Sequence, residues 1–393
     1  MKFLVKIKKL FKQSKQSLKI LIDNFGFVNR GDQLMIQSVL EQIRLRIPEA
    51  QVYVRQNVFM QNPTYCLHNN IQPLELLNSG IRHSKLYAKI VNFLLRKEYV
   101  VTPRQIDVVL DCCGYYITDA WHKSEEDYYS VKNYYSLFNN KNIKVIYLPQ
   151  AFGPFRNEWS KEIARLVLER ATKIYAREQI SLSYMTELLG DNGKLSIAPD
   201  FTCLCAPSED PVIQLPNKDY VLVIPNSNMI SQTDEHVADK YMTFLKSIVE
   251  ELSAKGETIY LLNHEGYEDE QLLLSLNKLL KRPLPILTNL SGLDIKSVIK
   301  NAKLVISARF HGVVSALTQN VPTLCTSWSH KYAELLKEHR CEQSMLDVED
   351  ISHALLVISD ALANPTKYTS KVGCEEKIEG KVKEMWNEIF SVL

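Results

Sequence analysis

The sequence predicts an α/β protein built on parallel sheets. Short apolar runs and amphipathic helical stretches alternate from end to end, which is the pattern of strands joined by crossover helices. The chain has 393 residues, room for two domains of ordinary size. A stretch with three prolines and few apolar residues, 206–218, parts the alternation into two series and reads as a linker.

The first series opens with a strand at Lys19–Asp23, the loop NFGFVNRGD, and a helix from about Gln33 to Ile47 that turns Leu34, Val39, Leu40 and Ile43 inward. A second strand follows at Gln51–Val54. An Asn-rich piece then leads to an apolar helix around Leu86–Leu95. Asp107–Asp111 and Lys144–Pro149 are core strands. The insert between them, 115–140, crowds Tyr115, Tyr116, Trp121, Tyr128, Tyr129, Tyr134 and Tyr135 together. Two readings fit it equally: a platform of rings for the apolar faces of a sugar, or a helix with a Tyr-rich stripe facing the core. Glu158–Thr172 is the next helix. Lys173–Ala176 is a strand ending in Arg177-Glu178, Ile180–Leu189 a helix closed by Gly190, and Ile197–Phe201 a strand carrying Pro199-Asp200.

The second series runs through strands at Tyr220–Pro225, Thr258–Asn263 and Pro285–Leu287, with helices at Glu235–Lys255, Asp269–Lys281 and Asp294–Asn301. Asp294 is the expected N-cap of the last of these. The series closes on Lys303–Tyr332, KLVISARFHGVVSALTQNVPTLCTSWSHKY, the stretch that looks built for chemistry. Leu304–Ser307 is a strand, Gly312–Gln319 a helix and Pro322–Ser327 another strand. Arg309 and His311 therefore stand at a strand-to-helix turn beside a helix N-terminus opened by Gly312, where anions bind in parallel sheets. His330 and Lys331 reach the same edge one crossover later, so both turns are expected to serve one pocket.

Composition excludes some functions. Forty-seven Lys and Arg against 45 Asp and Glu leave a formal charge of +2, so no basic field argues for nucleic acid. The eight cysteines show no C-x-x-C spacing and read as reduced thiols in a cytosolic protein, not as disulfides or a metal site. No apolar run approaches the ~20 residues that span a bilayer. The first nineteen residues, MKFLVKIKKLFKQSKQSLK, hold seven lysines and no acid, with apolar residues at roughly helical spacing. They read either as a solvated basic tail or as a peripheral anchor on the anionic inner membrane leaflet.

RFHG followed by HKY resembles the polysaccharide pyruvyl transferases, whose C-terminal half carries a strand ending in R-x-H-G, a small-residue helix, a "vP" turn and a downstream Lys. The resemblance extends over most of the chain beyond residue 18. Asn29 and Gly31-Asp32 are similar to the family's N-x-G-D segment, with Asp32 expected to cap the first helix. DVVLDCCGYYITD is similar to its glycine-ended strand, with Cys112 and Cys113 where glycines are usual. YLPQAFGPF, YAREQISLSYMTELLG, APD at 198–200 and NHEGYEDE at 263–270 also fit.

What the resemblance implies is a glycosyltransferase-B-like fold, two Rossmann-like domains facing across a cleft. Its parts would be a basic extension (1–18), an acceptor-side domain (19–205), the linker (206–218), a donor-side domain (219–373) and a last helix (374–393) crossing back. The implied reaction moves the pyruvyl group of phosphoenolpyruvate onto two hydroxyls of one sugar as a cyclic ketal, releasing phosphate, with no cofactor and no metal. Phosphoenolpyruvate brings about three negative charges, for which Arg is the suitable partner. Arg309 and Arg177, one from each domain, would clamp it, with Gly312 and His330 beside them. The vinyl ether accepts an oxygen at C2 only when C3 gains a proton, so an acid is required. His311 is assigned to that step and Lys331 to the departing phosphate, or the reverse. Asp32 and Asp200 are the candidate bases at the acceptor hydroxyls, with Asn29, Tyr115 and Tyr116 along the acceptor. The acceptor would be a free, nucleotide-linked or lipid-linked sugar. Two rivals share the fold. One is a nucleotide-sugar glycosyltransferase, for which Glu334 and Glu342 have the eight-residue interval of a ribose-binding pair. The other is a non-catalytic binding protein.

Overall fold

In a computed structural model of the chain, the described residues are 17–74, 101–138, 142–190, 192–216, 218–372 and 376–393. The basic segment 1–16 and the helix expected at Leu86–Leu95 lie outside them. The first sheet holds β1 (Lys19–Asp23), β2 (Gln51–Arg55), β3 (Ile71–Leu74), β4 (Val108–Asp111), β5 (Lys144–Gln150), β6 (Lys173–Ala176) and β7 (Leu195–Ile197). Its order is β3-β2-β1-β4-β5-β6-β7. The second holds β8 (Val221–Ile224), β9 (Ile259–Leu262), β10 (Ile286–Leu287), β11 (Leu304–Ser307) and β12 (Thr323–Cys325), in the order β10-β9-β8-β11-β12. All their ladders are parallel. The fold class expected from alternation is the one observed.

Strand order reverses between β1 and β4 in the first sheet and between β8 and β11 in the second. Such switch points open a crevice at the carboxyl ends of the strands, where ligands bind in doubly wound sheets. The residues just past these four strands include Asn24, Cys113, Asn226 and Arg309, and all four line one cavity. The topology thus turns the two crevices towards each other.

The lobes touch around that cavity. Arg30 N donates to His264 O (3.3 Å), Gly292 N to Gln33 Oε1 (2.9 Å), and the buried Lys296 Nζ to Thr202 O (2.9 Å). The C-terminal helix Glu376–Ser391 packs Val382, Met385, Trp386 and Ile389 into the core of the first sheet, with Trp386 edge-on to Phe201 at 5.9 Å. No helix among the described residues is long and apolar enough to cross a membrane.

Three local expectations are corrected. The strand expected at Ile197–Phe201 ends at Ile197. Pro199 cannot donate to a ladder, and Asp200 instead caps a 3-10 turn, Phe201–Leu204, by accepting from Thr202 N (3.0 Å). Asp294 is not the N-cap of its helix, which spans Gly292–Lys300. Ser291 is the cap, and Asp294, three residues in, accepts from Ser291 N (3.3 Å) in a reciprocal capping box. The first helix begins at Arg30, capped by Asn29 Oδ1 on Gly31 N (2.8 Å). Asp32 turns back to accept from Gly26 N (3.0 Å).

The aromatic insert divides its roles. Ser124 and Asp127 form a capping box on the helix Glu125–Ser136. Tyr134 and Tyr135 serve the first lobe, whereas Tyr129 is exposed: Tyr135 is buried against Tyr147, and Tyr134 donates to the Asp23 carboxylate. Tyr115 and Trp121, which precede the helix, line the cavity.

Candidate active site

The cavity between the lobes has a volume of about 230 Å³. From the first lobe come Asn29, Asp32, Tyr115 and Arg177; from the second, His264, Arg309, His311 and Lys331. Asn24 has left-handed backbone (φ 54°) and is held by Arg55 and by the Asp111 carboxylate (2.5 Å).

The strand β11 ends at Ser307, whose hydroxyl accepts from Arg309 N (3.0 Å) and sets the turn into the helix Phe310–Thr318. Arg309 lines the cavity, but its guanidinium is already taken. Asp269 receives it in a two-pronged contact, and Glu265 takes Nη1. Asp269 is fully buried and also accepts from Ser227 N (3.0 Å), so this charge pair is part of the second lobe's frame.

Arg177 differs. Its Nη1 lies 3.2 Å from Asp200 Oδ2, and its guanidinium lies over the Phe310 ring, 3.9 Å from the centroid. Nε faces Glu178 Oε2 at 3.8 Å, too far for a hydrogen bond, and both Nε and Nη2 are buried without a hydrogen-bond partner. An unmet buried donor costs about 1–3 kcal/mol, more when charged, so two of them on a cavity wall mark a place for an acceptor-rich ligand.

Lys331 opens the helix Lys331–Glu338 and makes no ion pair among the described residues. Its ammonium stands 4.4 Å from the Trp328 ring centroid and 4.7 Å from that of Tyr115, a cation held by ring faces. Burial, then the nearby Arg177, lowers its pKa to about 7. Burial raises the Asp32 carboxyl to about 7, against the pull of Gly26 N–H and of Lys331. The cavity thus holds two groups that exchange protons near neutrality.

His311 is wedged across the lobe boundary. Nε2 lies 3.5 Å from Asp200 Oδ2, and the ring lies against Gly31, where a Cβ would fall 2.1 Å from Nδ1. Only glycine leaves that space. Burial would raise the Asp200 carboxyl, but His311, Arg177 and the Thr202 hydroxyl outweigh it and hold it well below the usual carboxylate range. Gly31→Ala is therefore expected to displace His311, costing about 1–3 kcal/mol by overpacking. Thermal melting with an activity assay would check it: turnover should fall more than stability does.

Several expected site residues fall outside the cavity lining. His330 lies between the rings of Tyr115 and Tyr184, with Nε2 3.3 Å from Glu178. Gly312 packs on β11, where a Cβ would meet Ser307 Oγ at 2.6 Å. Asp200 lies behind Arg177 and His311. Tyr116 packs edge-on to His122 at 4.5 Å. Glu334 is in the first turn of its helix and Glu342 opens a 3-10 turn; neither lines the cavity.

Sequence reasoning did not single out Phe310, Asn226 or His264. Phe310 was hidden in plain view between Arg309 and His311. His264 is 2% exposed, neither ring nitrogen has a partner, and burial, then Arg309 and His311, lowers its pKa well below the usual value. Its imidazole is neutral at neutral pH.

The model of the family described as polysaccharide pyruvyl transferase matches residues 29–330, a span that includes every residue described as lining the cavity except Asn24 and Lys331. The chain belongs to the polysaccharide pyruvyl transferase family. No curated protein sequence matches it. Among solved structures, this family member is similar to a UDP-GlcNAc 2-epimerase from Methanocaldococcus jannaschii in complex with UDP-GlcNAc and UDP, with TM-score 0.61 and 14% identity over 96% of this chain and 100% of that one. It is also similar to a putative UDP-N-acetylglucosamine 2-epimerase from Listeria monocytogenes, with TM-score 0.60 and 11% identity over 95% of each chain. At such identities the likeness shows the fold alone, and that fold is the glycosyltransferase-B architecture expected of the family.

Proposed function

We propose that the protein transfers the pyruvyl group of phosphoenolpyruvate onto two hydroxyls of one sugar, forming a ketal and releasing phosphate. The observation that carries this reading is two cations lining one cavity from opposite lobes: the Arg177 guanidinium, which keeps two unmet donors besides its contacts with Asp200 and Glu178, and the Lys331 ammonium with no carboxylate in contact among the described residues. A carboxylate and a phosphate on a small donor satisfy both. Arg309, bound by Asp269 and Glu265, frames the cavity, so the clamp first expected of Arg309 and Arg177 falls to Arg177 and Lys331.

The chemistry is redox-neutral. A proton goes to C3, the first sugar oxygen bonds to C2 and gives up its proton, phosphate leaves, and the second oxygen bonds to the same carbon and gives up its own. One hydroxyl proton restores the acid and the other leaves with phosphate. His311 or Lys331 supplies the proton to C3. Asp200, held ionised and bound to both His311 and Arg177, positions them and is a poor base. Asp32, with its pKa raised to about 7, is the better proton acceptor for the hydroxyls. The setting we propose is the cytoplasm, where phosphoenolpyruvate is made, with an acceptor that is free or lipid-linked at the inner leaflet.

The test is incubation of purified protein with phosphoenolpyruvate and a panel of free, nucleotide-linked and lipid-linked glycans, read by mass spectrometry and phosphate release. A glycan gaining a pyruvate ketal with matching phosphate is the expected result. Transfer from a nucleotide sugar, with phosphoenolpyruvate inert, would overturn it.

A further inference from the structure

A second cavity, of about 440 Å³, opens on the second lobe next to the first. One wall is the short helical turn after β8, Asn228–Ser231, with its cap Ser227. The other is the outward face of the helix Gly266–Leu279, which presents Glu268, Gln271 and Ser275. Asn228, Glu265 and Arg309 line both cavities, so the two share a boundary and a ligand can extend from one into the other.

Charge decides what enters. Among the described residues Arg309 is the cation in this lining, and Asp269 and Glu265 already hold it. Glu268 adds a further carboxylate. A phosphate or diphosphate would meet like charge with no free cation to offset it, a juxtaposition that disfavours its binding. The rest of the wall is hydroxyl and amide, from Ser231, Gln271 and Ser275, around an aliphatic patch of Ile230, Met242 and Leu272. Carboxylates, amides and hydroxyls match the ring hydroxyls of a pyranose, and aliphatic side chains match its C–H face. The volume is within the range of about 300–1,000 Å³ usual for small-molecule sites.

We propose that this second cavity is a sugar subsite that holds uncharged residues of the acceptor glycan adjoining the unit modified in the first cavity. The acceptor runs past Arg309 along the second lobe, and any diphosphate it carries lies elsewhere. That the bound glycan is the acceptor rests on the transferase reading; binding of neutral sugar does not.

The test uses the full-length protein and its Ser275→Trp variant, which fills the cavity from the exposed face of the helix. Cellobiose, lactose, maltose and diacetylchitobiose are the probes, read by saturation-transfer NMR, with inorganic pyrophosphate as competitor. At least one disaccharide is expected to bind the wild type, to bind Ser275→Trp about tenfold more weakly or worse, and to withstand pyrophosphate. Thermal melting of the variant separates a filled cavity from a failed fold, and Glu268→Lys, a surface change, gives a second route: it should weaken the disaccharide and admit pyrophosphate. No binding of any disaccharide to the wild type, undiminished binding to a folded Ser275→Trp, or displacement by pyrophosphate would overturn the proposal. Disaccharide binding without any binding of phosphoenolpyruvate would leave the subsite standing and remove the donor reading instead.

Discussion

Replacing Lys331 with Met is expected to lower kcat/KM for phosphoenolpyruvate by about 10²–10³-fold, the scale seen when one preorganised stabiliser of developing charge is removed. The fold should survive, because the ammonium makes no ion pair among the described residues and its surroundings are the rings of Trp328, Tyr115 and Phe310, which accept a thioether. The pH dependence follows from the lowered pKa of about 7. The charged form, which binds or protonates the donor, prevails below that value and is lost as pH rises through it, so kcat/KM should fall on the alkaline side. Asp32 titrates in the same range, also about 7. Its loss acts in the opposite sense, since a base works deprotonated and its limb lies on the acid side. An alkaline limb that persists in Asp32→Asn and vanishes in Lys331→Met assigns it to Lys331.

Asp200→Ala is expected to destabilise the protein by about 3–5 kcal/mol at pH 7 and to abolish transfer, because it leaves the buried Arg177 guanidinium with only the longer Glu178 contact (3.8 Å) and frees His311 from its 3.5 Å contact. The sign with pH is fixed. Asp200 has a depressed pKa in the folded state, so the unfolded chain takes up its proton first and the contribution is fully present above about pH 4, the unfolded value. As pH falls below that, wild type and variant should converge in stability. Chemical denaturation at neutral and acid pH measures both.

Much of this was legible in the chain. The alternation of runs is a local property, and KLVIS followed by RFHG declares a strand, a turn and a helix N-terminus without any knowledge of the rest. What sequence could not supply is who pairs with whom across long separations. Arg309 looks free in its loop, and its commitment to Asp269, forty residues earlier, exists only once β9 and β11 lie two places apart in one sheet. Arg177 and Phe310 come from different lobes and meet because two switch points face each other. Smaller misreadings came from side chains whose bonding was ambiguous: Asp32 and Asp294 both look like caps, and each yields that place to an Asn or Ser three residues before it. Pro199 carried the sign that its strand ends early.

The most direct test of the central claim is calorimetric titration of phosphoenolpyruvate into the wild-type protein across neutral pH. Binding without nucleotide or sugar, with proton uptake and with affinity falling from about pH 6 to about pH 8 as Lys331 loses its charge, is what the Arg177 donors and the Lys331 ammonium facing one cavity predict. Absence of binding at every pH, in a protein that binds UDP instead, would contradict it.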